Sequence, residues 1–454
     1  MARAQQAVGA RRANRSGAGP GHLDGDSSDH RHHHLPRHRP RRRPTAAQRA
    51  LAWLALLAVV GVVILVIVLV VGGLSSVIAR PPAKAVVKVQ APAAPAVPAA
   101  TSAITLPWPS TGQSAVAIPA VGYTAQSGTE HPVPVASMTK VMTAYVILHD
   151  HPLGAGQDGP TVTITANDVG NYDSDTVTDQ ANVPLQAGET LTERQMLEGM
   201  LVHSANDLAF SLATWDAGSL AAFVAKMNAA AATLDMSQTH FADASGYTPQ
   251  SVSTPADLLK VASADMANPT FAQIVTMPSV TLPIAGTVSS YTPLLPGGYT
   301  DPTPGVEGVK SGFTSAAGGG DILAYQGSVG GQSFVVLAAV TSFEMATVLQ
   351  MAGKADLAVA QAAAAHVVAV PMPAAGSPAG TVQLAGKRVP LATAATGTLL
   401  AWPGQAVKQA VTVTDHHPKA GTRAGEQVGT VTYTVAQQQL AVPLRTTARM
   451  PKAS

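Results

Sequence analysis

The sequence predicts an α+β protein: one apolar helix near the N-terminus, an antiparallel sheet with packed helices, and a small all-β region at the C-terminal end. Three observations carry this. Leu51 to Val71 is an apolar run broken by neither charge nor proline. Between about residues 104 and 367, strand-like pieces come first, helical patterns follow, and two strands and a helix close the segment. That order suits an antiparallel sheet covered by helices rather than alternating βα units. Beyond about Pro371 only short alternating runs remain, the pattern of half-buried strands.

Each element follows from local chemistry. Arginines and histidines crowd the first fifty residues, with Arg41, Arg42 and Arg43 at their end. Polar, basic and without apolar periodicity, 1–49 reads as a disordered tail. The run taken as 50–73 has the roughly 20 apolar residues that a helix needs to cross the hydrocarbon layer. Only Arg80, Lys84 and Lys88 follow it closely, so the positive-inside tendency puts the N-terminus in the cytoplasm. A cleaved signal peptide has a shorter apolar core of about 7–15 residues. An uncleaved anchor in the cell membrane is therefore expected, with the body of the chain outside. Residues 74–103, rich in Pro and Ala, read as a semi-extended spacer.

Within 104–367, Ala115–Ile118 and Val121–Tyr123 read as strands, and a helix begins near Ser137. Helical spacing recurs at Thr192–Val202, Asn206–Trp215, Leu220–Leu234 and Pro255–Ala267. Asp321–Gln326 and Ser333–Val340 form a hairpin around Gly327, Gly330 and Gly331, and Glu344–His366 is helical. Residues 368–454 hold six short strand-like runs and no constellation of catalytic residues, so a spacer or interaction module is expected there.

Composition excludes whole classes of function. A net charge of +2 is too small for a nucleic-acid binder, and the absence of cysteine removes disulfides, thiolate nucleophiles and Cys-based zinc sites. The leader histidines belong to a solvated basic tail, so neither metal nor cofactor is expected.

Three motifs carry chemistry. In Ser137-Met138-Thr139-Lys140 the apolar residues that follow recur at helical spacing, so Ser137 stands at a helix start with Lys140 one turn along on the same face. A lysine packed among apolar side chains loses solvation, which favours the neutral amine able to take a proton from a serine. Free N–H groups at the helix start suit a developing oxyanion. Alone, Ser-x-x-Lys is a loose pattern. Ser204-Ala205-Asn206 falls between two helical patterns; Ser204 can relay a proton and Asn206 can hold an amide, although both residue types also serve as plain helix caps. Lys310-Ser311-Gly312-Phe313 precedes a strand. Lys310 offers a fixed positive charge for a carboxylate, Ser311 a hydroxyl, and Gly312 close backbone approach; a surface lysine in a glycine-rich turn is the bland alternative.

Together, in this order, the three resemble the motifs of penicillin-binding proteins and serine β-lactamases. The resemblance is nearest to the D-alanyl-D-alanine carboxypeptidases and runs from about Pro109 to His366. It includes Val133–Ala144, Phe223–Asn228, Ser245-Gly246, Ser253–Leu258 and Gly305–Lys310. Ala205 and Ser311 replace more usual residues while keeping the needed side chains. Ser289-Ser290-Tyr291-Thr292-Pro293-Leu294 stands where the family often has an Asn-x-Asn-x-Leu run.

The resemblance implies a transpeptidase-like fold for 104–367. It implies a peptidoglycan stem pentapeptide ending in D-Ala-D-Ala as substrate and β-lactam antibiotics as covalent inhibitors. It also implies roles: Ser137 as nucleophile, Lys140 as base, Ser204 as proton relay, and Asn206, Lys310, Ser311, Gly312 and Phe313 as substrate contacts. The Ser137 and Phe313 N–H groups would hold the oxyanion. Two alternatives stay open, a β-lactamase-like hydrolase and a non-catalytic wall-binding or sensory protein on the same fold. No Glu-x-x-Leu-Asn run follows the second motif, as efficient penicillin hydrolysis of the class A kind would require.

Overall fold

A computed structural model of the chain describes residues 45–75, 85–177, 180–298, 301–343, 348–414 and 419–452. The basic leader 1–44, residues 76–84 of the expected spacer, and the first residues of the expected helix at 344–366 lie outside them. The chain divides into two compact units, 1–82 and 83–454. In the first, helix α1 (Ala46–Ser75) contains a 22-residue stretch, Arg49–Val70, long and apolar enough to cross a membrane. From Leu51 to Val70 the Leu, Val and Ile side chains face outward all round, as suits a helix solvated by lipid.

The second unit is built around a five-stranded antiparallel sheet. Its order is Val306–Thr314, Gly318–Val329, Gln332–Phe343, Gln113–Ile118, Tyr123–Gln126. Both faces are covered, so Gln113–Ile118 is buried throughout and the other inner strands over their middle stretches. Alternation still sorts them. Ala115, Ala117, Ile322, Ala324, Leu337 and Ala339 pack with a helical layer, while Val116, Ile118, Leu323, Val336 and Ala338 pack with the last helix.

The helical layer consists of α2 (Thr139–Asp150), α3 (Ala166–Val177), α4 (Glu193–Val202), α5 (Asn206–Ala217), α6 (Leu220–Thr233), α7 (Pro255–Met266) and α8 (Pro269–Val275). Helix α9 (Val348–Ala364) covers the other face. Local signals set their starts. Thr192 and Gln195 form a reciprocal capping box on α4. Thr254 caps α7 ahead of Pro255, and Asn268 caps α8 ahead of Pro269. Helix α3 has too few apolar residues to stand out in the sequence.

The C-terminal strands form a six-stranded antiparallel sheet, and its first strand is not C-terminal. Val86–Val89, from the stretch expected to be a spacer, pairs with Pro378–Leu384. Ala85 and Val97 are buried in the same core as Val382, Leu391 and Tyr433. The alternating Val-Val-Lys-Val run is long enough to complete a sheet edge, so 85–97 is part of the β-rich region rather than a linker. That region also grips the five-stranded sheet: Gln405 and Gln438 donate to the Val121 and Ala120 carbonyls at 2.6 Å, and Trp402 stacks on Tyr123.

Candidate active site

Ser137 lies on a single 3-10 turn, Ala136–Met138, that leads directly into α2. Ala136 has φ 46°, a left-handed conformation that costs a residue with a side chain about 1–3 kcal/mol. Ser137 stays half-buried on this turn, while Ala136, Met138, Thr139 and Lys140 are buried. One turn along, Lys140 Nζ lies 2.9 Å from Ser137 Oγ. It also donates to Asn206 Oδ1 at 2.5 Å and to the Ser245 carbonyl at 3.0 Å. Three segments distant in sequence thus converge on one nitrogen.

Each partner is held in place. Asn206 opens α5, and its Nδ2 donates to Gln180 Oε1 at 2.6 Å, which turns the amide oxygen toward Lys140. Ser245 belongs to a loop that Asp243 ties together by accepting the Ser245, Gly246 and Thr248 N–H groups. Gly246, at φ 82°, sits so close to the turn carrying Ser137 that any Cβ would overlap the Ala136 carbonyl. Ser204 is buried in the α4–α5 junction at φ 64°, a second left-handed residue beside the site. Next to it, the His203 ring stacks on Tyr291 at 4.8 Å and Nδ1 meets the Ser289 carbonyl at 2.9 Å. The segment that departs from the expected asparagine run therefore supplies an aromatic wall.

The third side is the edge strand Val306–Thr314. A Cβ on Gly312 would stand 2.8 Å from the Ser137 nitrogen, so only glycine lets the strand approach the N–H groups of the turn carrying Ser137. Phe313 beside it is exposed. Ser311 Oγ donates to the Tyr291 carbonyl at 2.9 Å, and Lys310, fully buried, donates to the Ser311 carbonyl at 2.8 Å. Burial lowers the Lys310 pKa to about 7, against the pull of Asp321. The sequence suggests a fixed positive charge there; in the fold that charge depends on pH.

Asp321 stands opposite Ser311 on the neighbouring strand, and Asp356 comes from α9; both are fully buried. Burial pushes both carboxyls well above the usual range, with Lys310 opposing the shift on Asp321 and the charge of Asp321 adding to that on Asp356. Hydrogen bonds thus join Ser137, Lys140 and Asn206, and Gly312 packs on the turn that carries Ser137. Lys310, Ser311 and Phe313 flank that glycine, and Ser204 is two residues from Asn206. Sequence reasoning missed Ser245 and Gln180 as orienting groups, the His203–Tyr291 pair and the two buried acids. An aspartate inside the apolar strand run after Gly318–Gly320 was the available signal for Asp321, since a buried carboxylate is rare without a partner.

Residues 123–330 match the family of D-alanyl-D-alanine carboxypeptidases. The chain is 37% identical over 190 residues to the D-alanyl-D-alanine carboxypeptidase DacB2 of Mycobacterium tuberculosis, covering 40% of this chain and 59% of that protein. It is 39% identical over 150 residues to a D-alanyl-D-alanine carboxypeptidase of Streptomyces sp. strain K15, covering 31% and 48%. The matched part therefore spans about half the length of these relatives. A solved structure described as a peptidoglycan synthesis regulatory factor, PBP3, of Streptococcus pneumoniae shares the fold at 18% identity, with a TM-score of 0.56 over 76% of this chain and 100% of that one.

Proposed function

We propose, from the match of residues 123–330 to the family of D-alanyl-D-alanine carboxypeptidases, that the chain is a serine peptidase removing the terminal D-alanine from peptidoglycan stem pentapeptides through an acyl-enzyme. Members of the family act on peptidoglycan peptides and bind penicillin-like compounds. The observation that carries the proposal is the coordination of Lys140. Asn206 Oδ1 and the Ser245 carbonyl can only accept, so a neutral amine gives them its two hydrogens and turns its lone pair to the Ser137 hydroxyl, 2.9 Å away. The same partners then suit the ammonium that forms once the proton has moved.

In this reading Ser137 Oγ attacks the carbonyl of the penultimate D-Ala as Lys140 takes its proton. The oxyanion rests on the N–H groups of Ser137 and Phe313. Ser204 and Lys140 return a proton to the departing D-Ala nitrogen. Lys310 and Ser311 hold the terminal carboxylate, and Asn206 steadies the substrate amide. Water, activated by Lys140, then cleaves the ester. Penicillin presents a carboxylate and a strained amide in the same relation, so it acylates Ser137. The catalytic domain is read as 104–367, with the β-rich region 368–454 completed by the strand at 86–89. The apolar helix is read as an anchor, with the catalytic domain on the wall side of the membrane.

The test is D-Ala release from a stem pentapeptide, alongside covalent labelling by penicillin. Ser137→Ala should lose both to background. Labelling that persists in that variant would overturn the assignment of the nucleophile.

A further inference from the structure

We propose that Tyr291, propped by His203, is the specificity-determining residue for the leaving group, and that it favours leaving residues with an apolar side chain over glycine. This rests on the carboxypeptidase reading and deepens it, naming the part of the substrate that a segment outside the three motifs touches. Outside α1, the exposed aromatic rings among the described residues are Tyr247, Tyr291 and Phe313. Tyr247 is two residues from Ser245, Phe313 follows Gly312, and the Tyr291 carbonyl takes the Ser311 hydroxyl. Exposed aromatic surface is thus gathered around the site rather than scattered, the distribution expected of a ligand contact.

Tyr291 is the one of the three whose main chain joins two motifs. Its N–H donates to the Val202 carbonyl at 3.1 Å, two residues before Ser204, and its carbonyl accepts the Ser311 hydroxyl at 2.9 Å. Ser290, Thr292 and Leu294 around it are buried, whereas Tyr291 keeps 37% of its surface open. One side of its ring is backed by the His203 ring at 4.8 Å. His203 is itself fixed, donating Nδ1–H to the Ser289 carbonyl at 2.9 Å. In the proposed reaction Ser204 serves the nitrogen of the departing residue and Ser311 its carboxylate. A single carbon joins those two groups, and the side chain grows from that carbon. A residue tied to both the Ser204 segment and Ser311 therefore runs alongside the leaving residue, and its ring is the surface that the side chain meets. Covering an open aromatic ring with carbon removes apolar area from water, so an apolar side chain is held where glycine is not. A strap needed only for stability would have no use for an exposed ring.

The experiment uses the full-length protein in detergent and three stem pentapeptides that differ only in the last residue: glycine, D-alanine or D-leucine. In wild type, kcat/KM for release should rise from glycine to D-alanine. D-leucine should stand at least about tenfold above glycine, the discrimination that one or two methylenes carry against an apolar surface. Tyr291→Ala should bring the D-leucine/glycine ratio near one, chiefly through KM, and Tyr291→Phe should keep it. His203→Ala should lower the ratio in part, and His203→Phe, which restores a ring to stack, should recover it. A wild-type ratio of one or below overturns the proposal. So does a Tyr291→Ala protein that loses activity on all three peptides alike, as a purely structural role predicts. Should Tyr291→Ala fail to fold, the wild-type ratio and the two His203 variants decide in the same way. If wild type releases no residue from any peptide, the carboxypeptidase reading fails. The proposal is then judged on acylation of Ser137 by penicillin, whose apolar fused ring takes the place of the leaving residue, against a monobactam that lacks this ring. Wild type should prefer penicillin and Tyr291→Ala should lose that preference; its absence in wild type overturns the proposal.

Discussion

Two lysines in this chain are fully buried within one site, and they are buried differently. Among its contacts Lys140 has a hydroxyl, an amide oxygen and a backbone carbonyl, three neutral groups. Lys310 donates to a backbone carbonyl, and the field of Asp321 on the next strand opposes the fall in its pKa. Both are shut off from water, and for Lys310 that burial favours the neutral amine. What differs is the counter-charge. Neutral acceptors leave an amine ready to take a proton, whereas a carboxylate helps to keep an ammonium charged. The surroundings, rather than the residue type, divide the roles of base and anion holder.

The most direct way to break this comparison is to remove the base. Lys140→Met should slow acylation of Ser137 by penicillin by ~10²–10⁴-fold, the usual worth of a positioned general base, while thermal melting shows that the fold survives. A rate within a few-fold of wild type would mean that another group takes the serine proton.

A sharper test makes the first pocket resemble the second. Asn206→Asp replaces the neutral acceptor 2.5 Å from Lys140 Nζ by a carboxylate. An opposite charge at that range favours the ammonium by about one to three pH units. Because the neutral amine is the reacting form, the acid limb of the acylation profile should move up by the same amount, and the rate at neutral pH should fall roughly 10- to 100-fold. Recovery of most of the lost rate at high pH would separate this electrostatic effect from simple damage. A uniformly low rate at every pH would count against it.

How much of this was legible follows from the range of each interaction. The helix starts at Thr192 and Pro255 could be read because their caps lie within three residues of them. Ser137 and Lys140 could be paired because one helical turn joins them. The partners of Lys140 could not, since Asn206 and Ser245 are 66 and 105 residues away. Spacing gives no sign of which carbonyl a folded loop will present. Val86–Val89 was misread because a Pro/Ala-rich neighbourhood suggests a spacer, and its pairing partner begins near Pro378. Locally Asp321 reads only as the start of a strand, because its burial belongs to the packed sheet and not to the local sequence.

The smallest expected effect concerns Glu193, a buried acid with no cation to hold. It opens α4, where the helix terminus favours its charge. Yet it has no exposed surface, neither oxygen has a partner among the described residues, and burial raises its pKa to about 7. The folded protein therefore keeps this proton where the unfolded chain, near 4.5, has lost it. Stability from this group is fully present below about 4.5 and is lost as pH rises through 7. Glu193→Gln removes the titration, so its melting temperature should exceed that of wild type by a few degrees at pH 8, with the gap closing toward pH 4. Acylation of Ser137 should be unaffected, because Glu193 lies at the end of α4 away from Ser204. A pH-independent gap would mean that the change acts through packing, and burial without a counter-charge would then be no guide to the behaviour of Lys310.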